Sequence, residues 1–139
     1  MSQETLATLA RAQAAYNRGD WDAALATADP SVVFDLTRVA PDGQIYEGHD
    51  GVKAFWRMLR DVFGDFRTDP EEVIDGGDKL FARMHLRGSG QASGASGEDF
   101  LYQVVTLRQG KAVRVDFFRD RAEALSYAGL SEQDAHADS

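Results

Sequence analysis

Asp35 is the residue whose position most directly suggests acid–base chemistry. It lies in a segment where Val32, Phe34 and Leu36 alternate with Val33, Asp35 and Thr37. If the alternation places Asp35 beside Val33 and Thr37 in an apolar interior, desolvation would raise the pKa of the carboxyl group, which could then move protons near neutral pH. If Asp35 instead lies at a strand end, it would be wet or hydrogen-bonded to a turn amide. Both interpretations remain open from the sequence.

Three further polar residues, Tyr16, Gln103 and Arg119, are candidates for substrate binding. Tyr16 falls on the apolar face of the first predicted helix. Strand alternation directs Gln103 inward, and Arg119 follows inward near the rim. Their hydrogen-bonding groups would orient a polar atom of a bound molecule.

His49 lies where a loop enters a helix, and its imidazole is a candidate base or substrate ligand. The alternative is that His49 helps the helix to start, which we favour because no partner lies within reach in the sequence. No two of the three histidines have metal-ligand spacing, and the chain contains no cysteine. We therefore predict neither a metal site nor a cofactor.

Trp56 and Phe117 are the aromatic residues predicted to line an apolar pocket. The chain contains two tryptophans and eight phenylalanines, and a domain of this size must bury most of them in its core. Two or three would then remain for a pocket wall. A small apolar molecule is the partner that such a wall predicts.

The charge balance excludes several classes of partner. The chain has 139 residues, with 15 Lys and Arg against 23 Asp and Glu, a net charge of −8. Nucleic-acid and polybasic membrane proteins need clustered positive charge, so neither partner is predicted. No segment approaches the roughly 20 apolar residues of a membrane span, and the start of the chain does not resemble a signal peptide. We expect a soluble, cytoplasmic protein.

The first elements predicted are two helices. Apolar residues at three- and four-residue steps predict a helix over residues 3–17 that ends near Gly19. Asp20 can cap a second helix, which runs to Ala28 and is stopped by the Asp-Pro pair that follows.

A period of two begins at Ser31 and predicts a short strand pair that closes through a turn at residues 41–43. His49 or Asp50 can cap the next helix, which carries a bulky apolar stripe. From residue 66 to residue 119, strand-like segments separated by turns predict a meander of four antiparallel strands.

The meander is interrupted by the Gly- and Ser-rich residues 88–97, which we interpret as a hairpin loop rather than a phosphate-binding loop. A capping box that begins at Asp120 predicts a last helix through Ala128, with Gly129 as its terminator. The polar residues 131–139 are predicted to be a disordered tail after a single domain of residues 1–130.

Helices followed by a run of strands indicate an α+β fold. Alternation along the strands divides the side chains between an inner and an outer face. The outer face carries aromatics, arginines and Asp116, a mixture that suits an interface. The inner face is predicted to hold Leu80, Ala82, Met84, Leu86, Leu101, Gln103, Val105, Leu107, Val113, Val115 and Phe117.

The order of elements, the Gly-Asp-Trp break at residues 19–21, YEGHDGVKAFWRML at residues 46–59 and VTLRQGKAVRVDFFRDRAEALSYAGL at residues 105–130 resemble the SnoaL-like branch of the nuclear transport factor 2-like superfamily. That superfamily includes ketosteroid isomerase. The resemblance implies a conical barrel in which a strongly bent antiparallel sheet is covered by three helices, with a short C-terminal helix. It also implies an internal pocket and a homodimer through the outer sheet face.

The resemblance implies few catalytic residues. The segment VVFDLT at residues 32–37 resembles the strand that carries the general base of ketosteroid isomerase, which places the base at Asp35. The isomerase's tyrosine falls on Ala12 and its acid on Gln103. The acid of the polyketide-cyclase relatives falls nearest Asp116, which alternation directs outward unless a bulge intervenes.

The acidic arrangement of the epoxide-hydrolase relatives matches only uncharged residues, at Ala82, Met84 and Phe117. Two functions are therefore predicted. One is a cofactor-free isomerase, cyclase or hydrolase that uses Asp35 as its acid or base. The other is a non-catalytic ligand-binding or dimeric interaction domain.

Overall fold

The computed structural model describes residues 3–39, 42–87 and 98–137; the predicted loop at residues 88–97 and the last two residues of the predicted tail lie outside these ranges. The elements are α1 (Gln3–Asn17), α2 (Trp21–Leu25), β1 (Ala28–Asp35), β2 (Ile45–Glu47), α3 (Gly48–Phe63), β3 (Arg67–Asp75), β4 (Lys79–Arg87), β5 (Glu98–Arg108), β6 (Lys111–Phe118), α4 (Arg121–Tyr127) and α5 (Glu132–Ala137).

The strands form one six-stranded sheet in the order β2-β1-β6-β5-β4-β3. The pairs β3–β4, β4–β5, β5–β6 and β1–β2 are antiparallel, as predicted. The pair β1–β6 is parallel, so the expectation of an entirely antiparallel sheet is wrong. Most of the chain separates β1 from β6, and such a long connection does not impose the antiparallel direction of a hairpin.

The helical hairpin forms, but its second helix is shorter than predicted. Gly19 ends α1 with a φ of +81°, and the Asp20 carboxylate accepts from the Ala23 amide at 3.2 Å. Helix α2 stops at Leu25 rather than Ala28. Ala28 instead pairs with Ala112 of β6, so sheet pairing prevails over local helix propensity there.

Helix α3 begins without the predicted side-chain cap. Its capping residue is Glu47, which makes no side-chain cap hydrogen bond, so the expectation for His49 or Asp50 is wrong. Glu47 is the last residue of β2 and is still extended. The chain turns from the strand into the helix at Gly48, which adopts a φ of +74° that glycine tolerates without strain.

The C-terminal helices differ from the prediction in number. Asp120 caps α4 by accepting from the Ala122 amide at 2.9 Å, and Gly129 has a φ of +76°, both as predicted. The expected disordered tail is wrong over residues 132–137, which form α5. The Asp134 carboxylate accepts from the Ser131 amide at 2.8 Å and from its hydroxyl at 3.0 Å, which fixes the first turn.

Two apolar cores lie on opposite faces of the sheet. The larger lies between the concave face and helices α1, α2 and α3. In the smaller, Phe81, Val104 and Phe118 on the convex face pack against α4. The architecture is the predicted α+β cone, and α4 covers part of the convex face that was assigned to a dimer interface. Within the described residues, no helix has the length and hydropathy needed to cross a bilayer.

Candidate functional site

A cavity of about 740 Å3 lies between the concave face of the sheet and the helices. This volume falls within the range typical of small-molecule sites. Its walls consist mostly of apolar side chains. The polar residues among those that line it are Gln13, Tyr16, Thr27, Thr68, Gln103 and Arg119.

Strands β4 and β5 face the cavity in the predicted phase. Residues 80, 82, 84 and 86 of β4 line it, together with residues 101, 103 and 105 of β5. On β6 the phase shifts, because Thr106 pairs with Arg114 while Leu107 pairs with Ala112. Val113 is therefore a bulge, and Ala112 lines the cavity in its place.

Trp56 and Phe117 lie in the cavity wall, within a cluster of aromatic rings. The Trp56 ring meets the Tyr16 ring edge-on with centroids 4.8 Å apart, and the Phe117 ring lies 5.8 Å from that of Phe34. Such edge and tilted contacts are the favoured geometries for aromatic pairs. They hold the rings of the wall in defined orientations.

Tyr16 and Gln103 offer hydrogen bonds inside this wall. Burial raises the pKa of Tyr16 to about 12, so its phenol stays protonated at neutral pH. Gln103 is the central residue of a row across the sheet, paired with Ala82 on β4 and Phe117 on β6. A neutral hydroxyl and an amide can both donate and accept hydrogen bonds.

Gln13 and Thr68 form part of a polar contact that ties α1 to the edge strand β3. The amide nitrogen of Gln13 donates to the Thr68 carbonyl at 2.9 Å and contacts its hydroxyl. The Asn17 side chain donates to the same carbonyl at 2.8 Å and accepts from the Thr68 amide at 3.0 Å. Nothing in the local sequence indicates this contact, because its partners lie more than 50 residues apart.

Arg119 lines the cavity from just beyond the end of β6. Its Nε donates to the Val39 carbonyl at 2.8 Å. This bond fixes the base of the guanidinium group against the segment that follows β1. Among the lining residues that the structure describes, Arg119 is the one cation.

Asp35 does not line the cavity, and the prediction of a raised pKa is wrong. The carboxylate is only 6% exposed, and burial is the strongest single influence on it, which would raise its pKa. Hydrogen bonds from the Thr37 hydroxyl and amide, at 2.6 and 2.9 Å, and the charges of Arg114 and Arg38 together outweigh burial. The pKa of Asp35 is therefore lowered, and the carboxylate is ionised at neutral pH.

The register of β1 explains why Asp35 faces away. Phe34 pairs with Val115, which lines the cavity, and Asp35 pairs with Asp116 on the convex side. Phe34 and Leu36 consequently line the cavity. Of the two interpretations of Asp35, the interior one, with Val33 and Thr37, is wrong by one residue, and in a strand one residue exchanges the two faces. The other is confirmed, because Asp35 is the last residue of β1 and accepts from the Thr37 amide.

Asp116 faces outward, as predicted, and is fully buried. It accepts from Arg114 Nε at 3.0 Å and from Arg38 Nη1 at 3.0 Å. The bulge at Val113 precedes it on β6 and does not turn it inward. This carboxylate belongs to an ion-pair network with Asp35 rather than to the cavity.

His49 is not among the residues that line the cavity. Its Nε2 lies 3.1 Å from the Ala28 carbonyl oxygen, a distance that fits donation from a ring N–H. The contact joins the first turn of α3 to the start of β1. His49 therefore does not cap α3, but it attaches the first turn of that helix to β1, away from the cavity.

The cavity can supply hydrogen bonds and apolar contacts, but it offers no conventional general base. No Asp, Glu, His, Lys or Ser is among its lining residues in the described part of the chain. Among all the residues that the structure describes, no group of three His, Cys, Asp or Glu side chains is placed to hold a metal ion. Its polar groups can orient a molecule or stabilise a developing negative charge.

The sequence matches a family model described as a SnoaL-like domain over residues 9–115. No curated protein sequence matches the chain significantly.

Solved structures share the fold along nearly the whole chain. An NTF2-like protein of unknown function from Burkholderia pseudomallei K96243 is 24% identical, with a TM-score of 0.69, and the match covers 91% of this chain and 97% of that one. TerC, co-crystallised with polyporic acid, is 22% identical, with a TM-score of 0.71 and coverage of 92% and 98%. A putative polyketide cyclase from Sinorhizobium meliloti is 20% identical, with a TM-score of 0.64 and coverage of 84% and 94%.

Proposed function

The chain belongs to the SnoaL-like domain family, and from that membership and the geometry of its cavity we propose that it binds a small, mostly apolar organic molecule. The observation that carries the proposal is the cavity of about 740 Å3, whose apolar wall is interrupted by a few hydrogen-bonding groups. A filled interior, which an interaction domain would have, does not fit this volume. TerC, which shares the fold, was co-crystallised with polyporic acid, and this is consistent with binding.

The cavity residues have three roles in this proposal. Trp56 and Phe117 pack against the apolar body of the ligand, since both lie in the wall. Tyr16 and Gln103 hydrogen-bond to a carbonyl or hydroxyl group of the ligand. Arg119 holds a positive charge at the same wall and favours an electron-rich ligand atom.

An isomerase, cyclase or hydrolase reaction with Asp35 as the base gains no support from the geometry. Asp35 lies on the convex side of the sheet, is ion-paired with Arg114, and has a lowered pKa. A general base must lie within hydrogen-bonding reach of the proton that it removes. We therefore propose binding without Asp35-dependent proton transfer.

A cavity-filling variant with a matched control tests this function. The uncharged dye N-phenyl-1-naphthylamine serves as the apolar probe, titrated by fluorescence. Ala82→Phe places a ring into the cavity from β4, whereas Ala54→Phe places one on the exposed side of α3. We expect the first to weaken binding about tenfold or more, because it occupies ligand volume, and the second to leave it unchanged. Equal affinities in the two variants, or no binding by the wild type, would contradict the proposal.

We also propose that the chain forms a homodimer through the part of the convex face that α4 leaves uncovered. Arg83, His85 and Phe100 lie there, with the Arg83 guanidinium 4.0 Å from the Phe100 ring centroid. Arginine and aromatic residues are enriched at interfaces. Arg83→Glu should shift a dimer toward monomer in sedimentation velocity, with Arg57→Glu as the control, and a monomeric wild type would contradict the proposal.

The cytoplasmic location stays a prediction.

A further inference from the structure

A second hollow, of about 550 Å3, adjoins the cavity at the end of α1. We call it the arginine cleft, because four guanidinium groups line it. The cleft lies where the ends of α1, α3 and β4 meet the start of β3. Its lining comprises Tyr16, Asn17, Arg18, Gly19, Trp21, Trp56, Arg60, Asp65, Phe66, Arg67 and Arg87.

The charge of the arginine cleft is opposite to that of the chain. The whole chain has a net charge of −8 and only 12 arginines, yet four of these line the cleft, against one carboxylate, Asp65. A concave surface lined by one sign of charge concentrates ions of the other sign. The cleft is therefore suited to an anionic group despite the acidity of the protein.

The four arginines differ in how strongly they are engaged. Arg67 pairs with Asp69 at 3.0 Å, and Arg18 lies 3.8 Å from Asp20. The Arg60 guanidinium stacks 4.8 Å from the Trp21 ring centroid. Stacking on an aromatic face leaves the edge of a guanidinium able to donate to a carboxylate, sulfonate or phosphate.

Arg87 reaches the cleft from the end of β4. Its guanidinium lies 3.3 Å from Nδ1 of His85. Its side chain is exposed, as is that of Arg60. Arg60 and Arg87 are therefore the two residues best placed to meet an incoming anion.

The cleft and the cavity share part of their walls. Tyr16, Trp56 and Phe66 line both hollows. A molecule whose apolar body lies against Trp56 in the cavity can therefore project a polar end toward the arginines.

We infer that the ligand is an amphiphilic organic anion, whose apolar body occupies the cavity and whose anionic group binds in the arginine cleft, chiefly to Arg60 and Arg87. This inference rests on the proposed function. The cavity supplies most of the affinity through apolar contacts, and the cleft selects the charged ligand over its neutral analogue. Because the arginines are exposed, the selectivity should weaken as salt is added.

Two dyes with the same aromatic body test the inference. 1-Anilinonaphthalene-8-sulfonate carries a sulfonate, and N-phenyl-1-naphthylamine lacks it. We expect the double variant Arg60→Gln, Arg87→Gln to weaken binding of the sulfonate about fivefold or more and to change binding of the neutral dye less than about twofold. Arg57→Gln, an exposed position on α3 outside the cleft, should change neither.

The outcomes separate this inference from the proposed function. A sulfonate affinity that the double variant leaves unchanged, or a loss that is equal for both dyes, overturns the anionic site while leaving the apolar cavity in place. Failure of the wild type to bind either dye overturns both. A salt titration of the wild type is an independent measurement that does not depend on the variants folding. Rising sodium chloride should weaken binding of the sulfonate and not that of the neutral dye, and parallel behaviour of the two dyes overturns the inference.

Discussion

The Arg114 guanidinium donates from Nη2 to the Asp35 carboxylate at 2.6 Å on the convex side of the sheet. The same guanidinium donates from Nε to Asp116 at 3.0 Å. Asp35 and Asp116 are register partners on the parallel strands β1 and β6. One arginine thus bridges two neighbouring buried carboxylates, which gives these acids a structural role at the only parallel pairing among the described strands.

Replacing Arg114 by Met should destabilise the fold. Loss of one partner from a buried ion pair usually costs about 3–5 kcal/mol, because the remaining charge stays buried. The Arg114 side chain is 36% exposed, and Arg38 still faces Asp116. We therefore expect a fall of about 2 kcal/mol in the free energy of unfolding, measured by urea denaturation. Arg57→Met is the exposed control, and an equal effect in both variants would contradict the prediction.

Asp35→Asn should make stability less sensitive to acid. The pKa of Asp35 is lowered in the folded state, so its contribution to stability is complete above the unfolded pKa of about 4. As the pH falls below that value, the unfolded chain binds a proton before the folded one does, and the contribution is lost on approach to the folded pKa.

The free energy of unfolding of the wild type should consequently fall more steeply than that of Asp35→Asn between pH 5 and pH 3. Urea denaturation at several pH values measures the two slopes. Parallel slopes would show that the pKa of Asp35 is not lowered by folding. The variant should retain affinity for N-phenyl-1-naphthylamine at pH 7, because Asp35 does not line the cavity.

Alternation correctly predicted which side chains face inward on strands that pair with their hairpin neighbour in an unbroken register. β4 pairs with β5 without a register shift from Lys79 to Arg87, and β4 carries an apolar residue at every second position from Leu80 to Leu86. Such strands have one possible inner face. This is why Ala82 and Gln103 were both correctly predicted to face inward from the sequence alone.

The inward-facing side chains of β1 could not be predicted in the same way. Val33 and Phe34 are both apolar, so either could face inward. The choice depends on pairing with β6, about 80 residues away, and on a register shift between Ala28 and Val33. The arginine cleft was not predicted for a similar reason, because Arg18 follows α1, Arg60 lies on α3 and Arg87 lies on β4.

Asn17→Ala should loosen the attachment of α1 to β3. Asn17 satisfies both backbone groups of Thr68, and Thr68 is buried. A buried backbone group left without a partner costs about 1–3 kcal/mol. We expect a loss of about 1–2 kcal/mol, together with faster hydrogen exchange at the Thr68 amide.

Gln13→Ala is the matched control for that variant. Gln13 donates to the Thr68 carbonyl, which would keep Asn17 as a second donor. Its loss should therefore destabilise the protein less than the loss of Asn17. The reverse order would show that the Gln13 contact, rather than the Asn17 pair, holds the helix to the sheet.

Binding of a neutral ligand should be independent of pH between about pH 5.5 and pH 9. The ionisable side chains that line the cavity, among the residues that the structure describes, are Tyr16 and Arg119. The pKa of Tyr16 is raised to about 12, and a guanidinium stays protonated throughout this range. Neither charge therefore changes. The dissociation constant of N-phenyl-1-naphthylamine should vary less than about twofold, with thermal melts at each pH as the control for folding. A sigmoidal change with a midpoint inside the range would require a titrating carboxylate or imidazole at the ligand, which would reopen an acid–base mechanism.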